Sequence, residues 1–419
     1  MANNITNNLF SRSNLGVTSI WLALFLTFGY PLSVSIPVLL HLPSEAINIS
    51  FRIVYVLLSI YIIVGTLSIK EKRVISIGGL FILLFWVPYS IRLIYDISFK
   101  GIIFNSPFYV YSFAFGNCLL PSIAIILSGK FINTDQLKRA ILIFLILVNI
   151  VTLILLIYSS GGLSLESLSQ RAMISDSNDD SKSMLNAIII SQTGEFLAVI
   201  SFAQLVLNGH GKKILLFSSF LLGIFNLMIG ASRGPMLSFA FCAILILFIF
   251  FSRIKITYAR LAKIAAWFIT ILIFYFTVIS SLFESANITI FVRLMDLYDG
   301  GQGASLDDRP LLFKSAWNQF LSSPIIGDQY LSIYGNYYPH NIFLEILMSL
   351  GLTGAFIFLG VLVFSFRKAS ILFKGYNDTV FIPFILLITI LLAGMTSGCL
   401  FAGVGLWTWL SLFNSIKFK

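Results

Sequence analysis

Charge is scarce in this sequence. Asp, Glu, Lys and Arg make up 11% of the 419 residues, where a soluble domain carries about 25%. That shortage excludes an ordinary water-soluble enzyme. Cysteine is scarcer still. Cys118, Cys242 and Cys399 each sit in an apolar stretch with no CxxC spacing, which excludes a disulfide framework and a cysteine metal cluster. Histidine occurs three times. No Walker A sequence, GxGxxG pattern or HExxH is present, so the usual signatures of phosphate-loop, dinucleotide and zinc-protease chemistry are missing. Internal repeats and low-complexity segments are absent as well.

What remains is apolar. Hydrophobic residues make up 58% of the chain and the mean hydropathy is +0.96. Runs of roughly 20 apolar residues, the length that crosses a bilayer, recur throughout. About twelve spans are expected, near 17–40, 51–69, 74–95, 107–128, 139–159, 184–207, 214–230, 235–251, 264–283, 342–366, 379–395 and 398–416. A Thr-Ser-Gly turn alone separates the last two. The stretch Val17–Leu40 is too long for a signal-peptide core and lacks a cleavage site, so it is expected to be the first membrane helix.

The net charge of +10 does not point to nucleic acid, because the basic residues lie in short loops between spans. With the N-terminus inside, two thirds of the 27 Lys and Arg residues fall on the cytoplasmic side. The positive-inside rule then puts both termini in the cytoplasm. Two outside loops are long: 160–183, with an acidic run at 176–180, and 284–341. Long loops inside compact proteins are commonly functional. The chain therefore divides into helices one to nine over 1–283, a large periplasmic loop over 284–341, and helices ten to twelve over 342–419. Within the loop, Arg309–Phe320 has a helical pattern. Pro310 suits its first turn, Leu312, Ala316 and Phe320 share a face, and Pro324 ends it. This is expected to be a short amphipathic helix near the membrane surface.

Few residues can carry chemistry. Arg233, in the tight turn GASRGPM, sits at a span boundary, where its planar fork suits a phosphate; the alternative is a snorkelling anchor. Arg309 opens the amphipathic helix, whose N-terminal N–H groups also favour an anion; the alternative is a pair with Asp307 or Asp308. Arg171 and Arg293 lie near acidic residues and are weaker. His340, in YYPHNIFLE just before a span, is placed to accept a proton, whereas His210 and His41 have no such setting. Glu195 and Glu345 fall inside spans, where carboxylates are costly and suggestive. Asn341 lies one turn before Glu345 and shares its face. Glu345 is about 140° around the helix from His340, so direct pairing of those two is not expected. The aspartate pairs at 179–180 and 307–308 lack a third metal ligand.

Three segments, in order, are SRG at 232–234, RPLLFKSAWNQFLSSPIIGDQ at 309–329 and PHNIFLEILMSLGLTGAFIF at 339–358. Together they resemble the O-antigen ligase/polymerase superfamily of bacterial surface-polysaccharide enzymes, most closely over about 225–366. The resemblance implies an all-α polytopic inner-membrane protein of about a dozen helices with a large periplasmic loop, similar to the GT-C glycosyltransferases. It implies an undecaprenyl-diphosphate-linked glycan as donor, no nucleotide sugar and no metal or other cofactor. It implies that Arg233 and Arg309, with Arg171 as a further match, hold the donor diphosphate and that His340 acts at the acceptor hydroxyl. Asn341, Glu345 and Glu195 would support the site. Membrane lipid, a chain-length regulator and other O-antigen assembly proteins are the implied partners; nucleic acid is not. The finer expectation is a polymerase. The alternatives are a ligase that transfers glycan to lipid A–core, and a transporter of polysaccharide or lipid-linked glycan, which Glu195 and the span count would suit. Against the transporter, no repeated halves or matched pair of broken helices is visible.

Overall fold

The computed structural model describes residues 11–69, 75–159, 174–176, 179–207, 213–253, 308–374 and 378–417. The predicted span at 264–283, Arg171, His210, Arg293 and Asp307 lie outside these residues. The chain forms two compact units, Met1–Phe144 with Ser305–Lys419, and Leu145–Ala304. The units follow packing in space and so divide the chain differently from the three segments read along the sequence.

The first unit begins with α1 (Arg12–Phe28), α2 (Tyr30–Leu40), α3 (Ser44–Ser68) and α4 (Ile77–Ser98). Ser11 caps α1 by accepting from the Asn14 N–H at 3.2 Å, and Ser76 caps α4 through the Gly79 N–H at 3.0 Å, each satisfying a helix donor that has no intrahelical partner. The expected single span 17–40 is broken. α1 and α2 meet at Gly29 with a 68° bend, because Pro31 in the first turn of α2 has no N–H to continue the preceding helix. His41 closes α2 in a left-handed conformation, its N–H bonded to the Pro37 carbonyl.

α5 (Pro107–Tyr111) runs into a π-helical stretch, Ser112–Leu119, then α6 (Leu120–Ser128) and a 3-10 turn, Gly129–Phe131. α7 (Thr134–Ser159) passes from the first unit into the second. Pairing returns to the first unit with α11 (Asp308–Ser322), α12 (Ile342–Lys374), α13 (Asp378–Ser397) and α14 (Val404–Ser415). The last expected span, 398–416, is mostly not a long helix. α14 has 12 residues, too short for the bilayer core at 1.5 Å per residue, and residues 398–403 precede it as irregular backbone.

An aromatic cluster holds this unit. Phe85 and Trp86 of α4 each lie 5.0 Å from Trp407 of α14, and Phe358 of α12 is 5.7 Å from Phe85. The buried indoles of Trp407 and Trp409 donate to the carbonyls of Leu400 and Pro383, both at 2.8 Å, as a dry interior demands. The opposite faces are apolar too: Ile53, Val54, Leu57 and Ile60 of α3 are exposed, which suits a wall facing lipid and not water.

The second unit contains β1 (Ile174–Asp176), β2 (Asp179–Leu185), α8 (Ala187–Leu207), α9 (Lys213–Ile229) and α10 (Arg233–Arg253). The two strands pair antiparallel, with Ile174 opposite Leu185. The polar loop expected over 160–183 is thus partly a hairpin, with Ile174 and Leu185 buried, and Asp179 and Asp180 stand on a strand. α8 and α9 approach backbone to backbone. A methyl at Gly194 would lie 2.3 Å from the Leu227 nitrogen, and one at Gly223 would lie 2.6 Å from the Ala198 nitrogen. Small residues permit such contacts in lipid. Beside them, Asn226 donates to the Asn149 side chain at 2.9 Å, and Asn149 to the Thr193 carbonyl at 2.9 Å.

Among the described residues, eight helices are long and apolar enough to cross a membrane, and the bent α1–α2 pair adds a ninth. This is a polytopic α-helical membrane architecture.

Candidate active site

His340 lies in the first unit, outside any helix, with φ +56°. A bulky residue adopts this left-handed conformation at a cost, and such strain tends to gather at functional sites. Three features enforce it. Before it, Ser332 and Tyr337 form an isolated antiparallel bridge closing a tight turn over 333–336. Around it, Tyr337 and Tyr338 stack at 4.4 Å, and Tyr338 meets the imidazole edge-on at 4.6 Å. After it, Asn341 caps α12: its Oδ1 accepts from the N–H groups of Phe343 and Leu344, both at 3.1 Å, while its Nδ2 donates to the Met395 carbonyl at 3.2 Å.

α11 forms where the apolar pattern placed it. Leu312 and Ala316 are buried, while Phe313 and Trp317 are exposed. The same face also buries Gln319, whose side chain clamps the histidine-bearing turn. Its Oε1 accepts from the Ile333 N–H at 2.9 Å and its Nε2 donates to the Leu331 carbonyl at 3.2 Å. Ser315 accepts from the Tyr334 N–H at 3.2 Å. Arg309, half-buried in the first turn of α11, is thereby brought close enough to His340 for its charge to act on the ring.

Burial of the imidazole lowers its pKa below the ordinary 6.5, and the Arg309 cation lowers it further; a hydrogen bond with the Ser397 backbone opposes both. The ring is consequently neutral at neutral pH. Its Nδ1 is buried with no hydrogen-bond partner. Burial raises the neighbouring Tyr338 phenol above its usual range, so that hydroxyl stays protonated and cannot compete as the base.

Two stretches singled out in the sequence, 324–328 and 351–354, lock together. Gly351 interrupts α12 with φ 61° and ψ −154°, a conformation essentially reserved to glycine. The break frees backbone groups of α12: Leu352 N–H donates to the Pro324 carbonyl at 2.8 Å and Thr353 N–H to the Ile325 carbonyl at 3.1 Å, while the Met348 carbonyl accepts from the Asp328 N–H at 2.9 Å. From the far side α4 grips the same segment. Arg92 donates to the carbonyls of Ile326, Gly327 and Asp328. Buried Asp96 accepts from the Tyr330 N–H at 2.8 Å, and Lys100 pairs with Asp328 at 3.3 Å.

Glu345 is fully buried one turn on from Asn341, its N–H bonded to the Asn341 carbonyl at 2.9 Å. Its carboxylate accepts from the Leu400 N–H at 3.1 and 3.0 Å and from the Tyr89 hydroxyl at 3.4 Å. It holds the irregular segment before α14 in place, which sets Phe401 against Tyr338 at 6.2 Å. Both Asn341 and Glu345 therefore act through backbone, at one remove from the imidazole.

Arg233 lies in the second unit as the first residue of α10. Ala231, with φ 45°, turns the chain there. The turn is fixed by Ser191 of α8, whose hydroxyl accepts from the Ser232 N–H at 3.2 Å, and by Gly230, where a methyl would lie 2.3 Å from that hydroxyl. Pro235 sits in the first turn, and Arg233 is half-buried. A helix start carrying an arginine favours an anion. Glu195 is fully buried in α8 beside Ser238 of α10, yet neither oxygen reaches a hydrogen-bond partner.

Sequence reasoning missed Arg92, Asp96 and Arg52. Asp96 was placed one residue beyond the span end, and Arg52 lay inside a span without being singled out. An ionisable residue within an apolar run is the signal that finds Arg52 and Arg92, and Asp96 stands one turn on from Arg92.

Residues 218–359 match the family model described as O-antigen ligase (Wzy_C), about a third of the chain, and no curated protein matches it. The matched stretch contains Arg233, Arg309, His340, Glu345 and the Gly351 break, and it supports the O-antigen ligase/polymerase superfamily already suggested by those residues.

Proposed function

With an O-antigen ligase domain over residues 218–359 as the premise, we propose that this protein is an O-antigen polymerase. It would join undecaprenyl-diphosphate-linked oligosaccharide repeat units at the periplasmic face of the bacterial inner membrane. The observation that carries the chemistry is a cation acting on a neutral imidazole: Arg309 lies near enough for its charge to lower the His340 pKa, and Gln319 and Ser315 fasten the Arg309 helix to the turn before the histidine.

Breaking the donor's anomeric C–O bond leaves negative charge on a diphosphate oxygen. Arg309 would bind that diphosphate and stabilise the charge as it grows, which favours the transition state over the ground state; the family resemblance implies the same part for Arg233. Arg171 would add to the same anion. His340, neutral at working pH, would take the proton from the attacking acceptor hydroxyl. Asn341 and Glu345 position the segments on either side of the histidine. Glu195 would have a supporting role. No step needs a metal or other cofactor. Membrane lipid surrounds the protein, and a chain-length regulator and other O-antigen assembly proteins are its expected partners. Both termini would be cytoplasmic and residues 284–341 periplasmic, as the charge distribution favours.

A purified preparation given only the lipid-linked repeat unit tests this. A polymerase makes a ladder of longer lipid-linked chains from that single substrate. A ligase makes product only when lipid A–core is added, and a transporter makes none; either result would refute the polymerase reading.

A further inference from the structure

A cationic cavity lies in the first unit, about 200 Å³ in volume and lined by Tyr30, Arg52, Tyr55, Phe113 and Asn117 among others. It is built where two membrane helices depart from regularity. Tyr30 stands at the α1–α2 break, and Phe113 and Asn117 belong to the π-helical stretch. Arg52 is inside the apolar helix α3, where a guanidinium is expensive without a partner. Among the described residues it forms no ion pair. Its charge rests on ring faces instead, 4.1 Å from the Phe113 centroid and 5.7 Å from that of Tyr109, an arrangement that leaves the in-plane N–H fork available to an anion. Asn117 is 3% exposed, lines the same cavity and leaves its Oδ1 with no hydrogen-bond partner.

The volume falls below the range of pockets that enclose drug-sized ligands, so it suits an anionic head and not an oligosaccharide. The adjoining face of α3, with Ile53, Val54 and Leu57, is apolar and exposed, which is where a lipid tail would lie. On the other side a row of rings leaves the cavity. Tyr109 contacts Phe113 at 4.8 Å and Phe104 at 6.0 Å, Phe104 contacts Tyr338 at 5.6 Å, and Tyr338 contacts His340. Such ring faces pack well against the C–H face of a sugar. The row of rings thus runs from beside the Arg52 cavity to the histidine.

We propose that the Arg52 cavity binds the phosphate or diphosphate head of a second lipid-anchored substrate, the acceptor, and so aims its sugar along the aromatic row toward His340. The assignment rests on the glycosyl-transfer reading and adds to it a binding site separate from Arg233 and Arg309.

Native mass spectrometry of the full chain, titrated with undecaprenyl phosphate or with phosphatidylglycerol, tests it. The wild type should retain two polyprenyl phosphates. Arg52→Gln should retain one, the lost site weakening ~10–100-fold, as losing a charge-assisted hydrogen-bonding group predicts. Arg52→Lys should weaken it less, because the charge persists. Asn117→Leu, which disturbs no buried charge, should weaken the same site and guards against misfolding of the arginine variants. Two retained probes in Arg52→Gln would overturn the proposal. So would displacement of the second probe by phosphatidylglycerol, which would mark a site for bulk membrane lipid. Arg309→Gln separates the two readings: it should remove the other probe and abolish transfer, and transfer that survives it would count against the proposed function while leaving the Arg52 result standing.

Discussion

α10 and α11 both carry an arginine followed closely by proline in the first turn, yet they are anchored by different means. α10 is held by closeness: Gly230 lets the turn sit directly on Ser191 of α8. α11 is held by polar clamps: Gln319 and Ser315 fasten it to the turn before His340. The arginine in the first case depends on the absence of a side chain beneath it, and in the second on the presence of two. The two ends should therefore fail to different kinds of substitution, even though the proposed role of the arginines is the same.

The largest effects belong to the arginines themselves. Arg233→Ala and Arg309→Ala should each lower turnover in the purified system by ~10²–10³-fold, the range for losing one donor to a developing anion. Arg→Lys should recover little, since Lys lacks the bidentate fork. Equal activity of the alanine and wild-type proteins at either position would remove that residue from the site.

Next come the anchors. Gln319→Leu leaves the part-buried Ile333 N–H without its acceptor, at about 1–3 kcal/mol, while the Leu331 carbonyl keeps its bond from Gln329; at α10 Gly230→Gln should be the damaging change. The comparison breaks if thermal unfolding shows the polar loss to be silent or the added bulk at Gly230 to be tolerated. Gly351→Ala combines both kinds of injury. Its φ of 61° is strained for alanine, and a methyl there would lie 2.6 Å from Ile325 backbone atoms. A loss of about 1–3 kcal/mol for the conformation alone is expected, read as a lower unfolding temperature. Glu345→Gln should cost less than Glu345→Leu, because the amide oxygen can still accept from the Leu400 N–H.

A smaller effect ties Arg309 to His340. The cation helps to hold the imidazole pKa below 6.5, so the reactive neutral ring should persist as pH falls through that value. Arg309→Gln removes the cation, and the pKa should rise. In a variant with His41 and His210 replaced by Asn, the pH midpoint for carbethoxylation of His340 should move upward on adding Arg309→Gln. An unchanged midpoint would mean the two groups do not interact. The smallest expected effect is none: a divalent-metal chelator should leave transfer unaltered.

Much of this was legible in the chain. The apolar period of Leu312 and Ala316 with Pro310 located α11, and the paired motifs located His340. What could not be read were contacts made by backbone at long range. Glu345 answers to Leu400, Arg92 to carbonyls at 326–328, and Gly351 to Pro324 and Ile325, none of which leaves a local pattern. GLTG looks like part of an unbroken apolar span because its neighbours are apolar on both sides of the break. The π-helical stretch is equally silent, since Ser112–Leu119 reads as part of one continuous apolar span. The Arg52 cavity needs the bend at Gly29 and that π-helix together, and neither predicts the other.

The central claim is that His340 acts on the acceptor while the arginines hold the donor. It is tested most directly by measuring transfer from purified lipid-linked repeat unit and donor-binding affinity together in His340→Ala. Turnover should fall by ~10²–10⁴-fold, as for loss of acid–base assistance, with donor affinity unchanged and a silent His210→Ala control. Wild-type turnover in His340→Ala, or loss of donor binding in step with turnover, would contradict it.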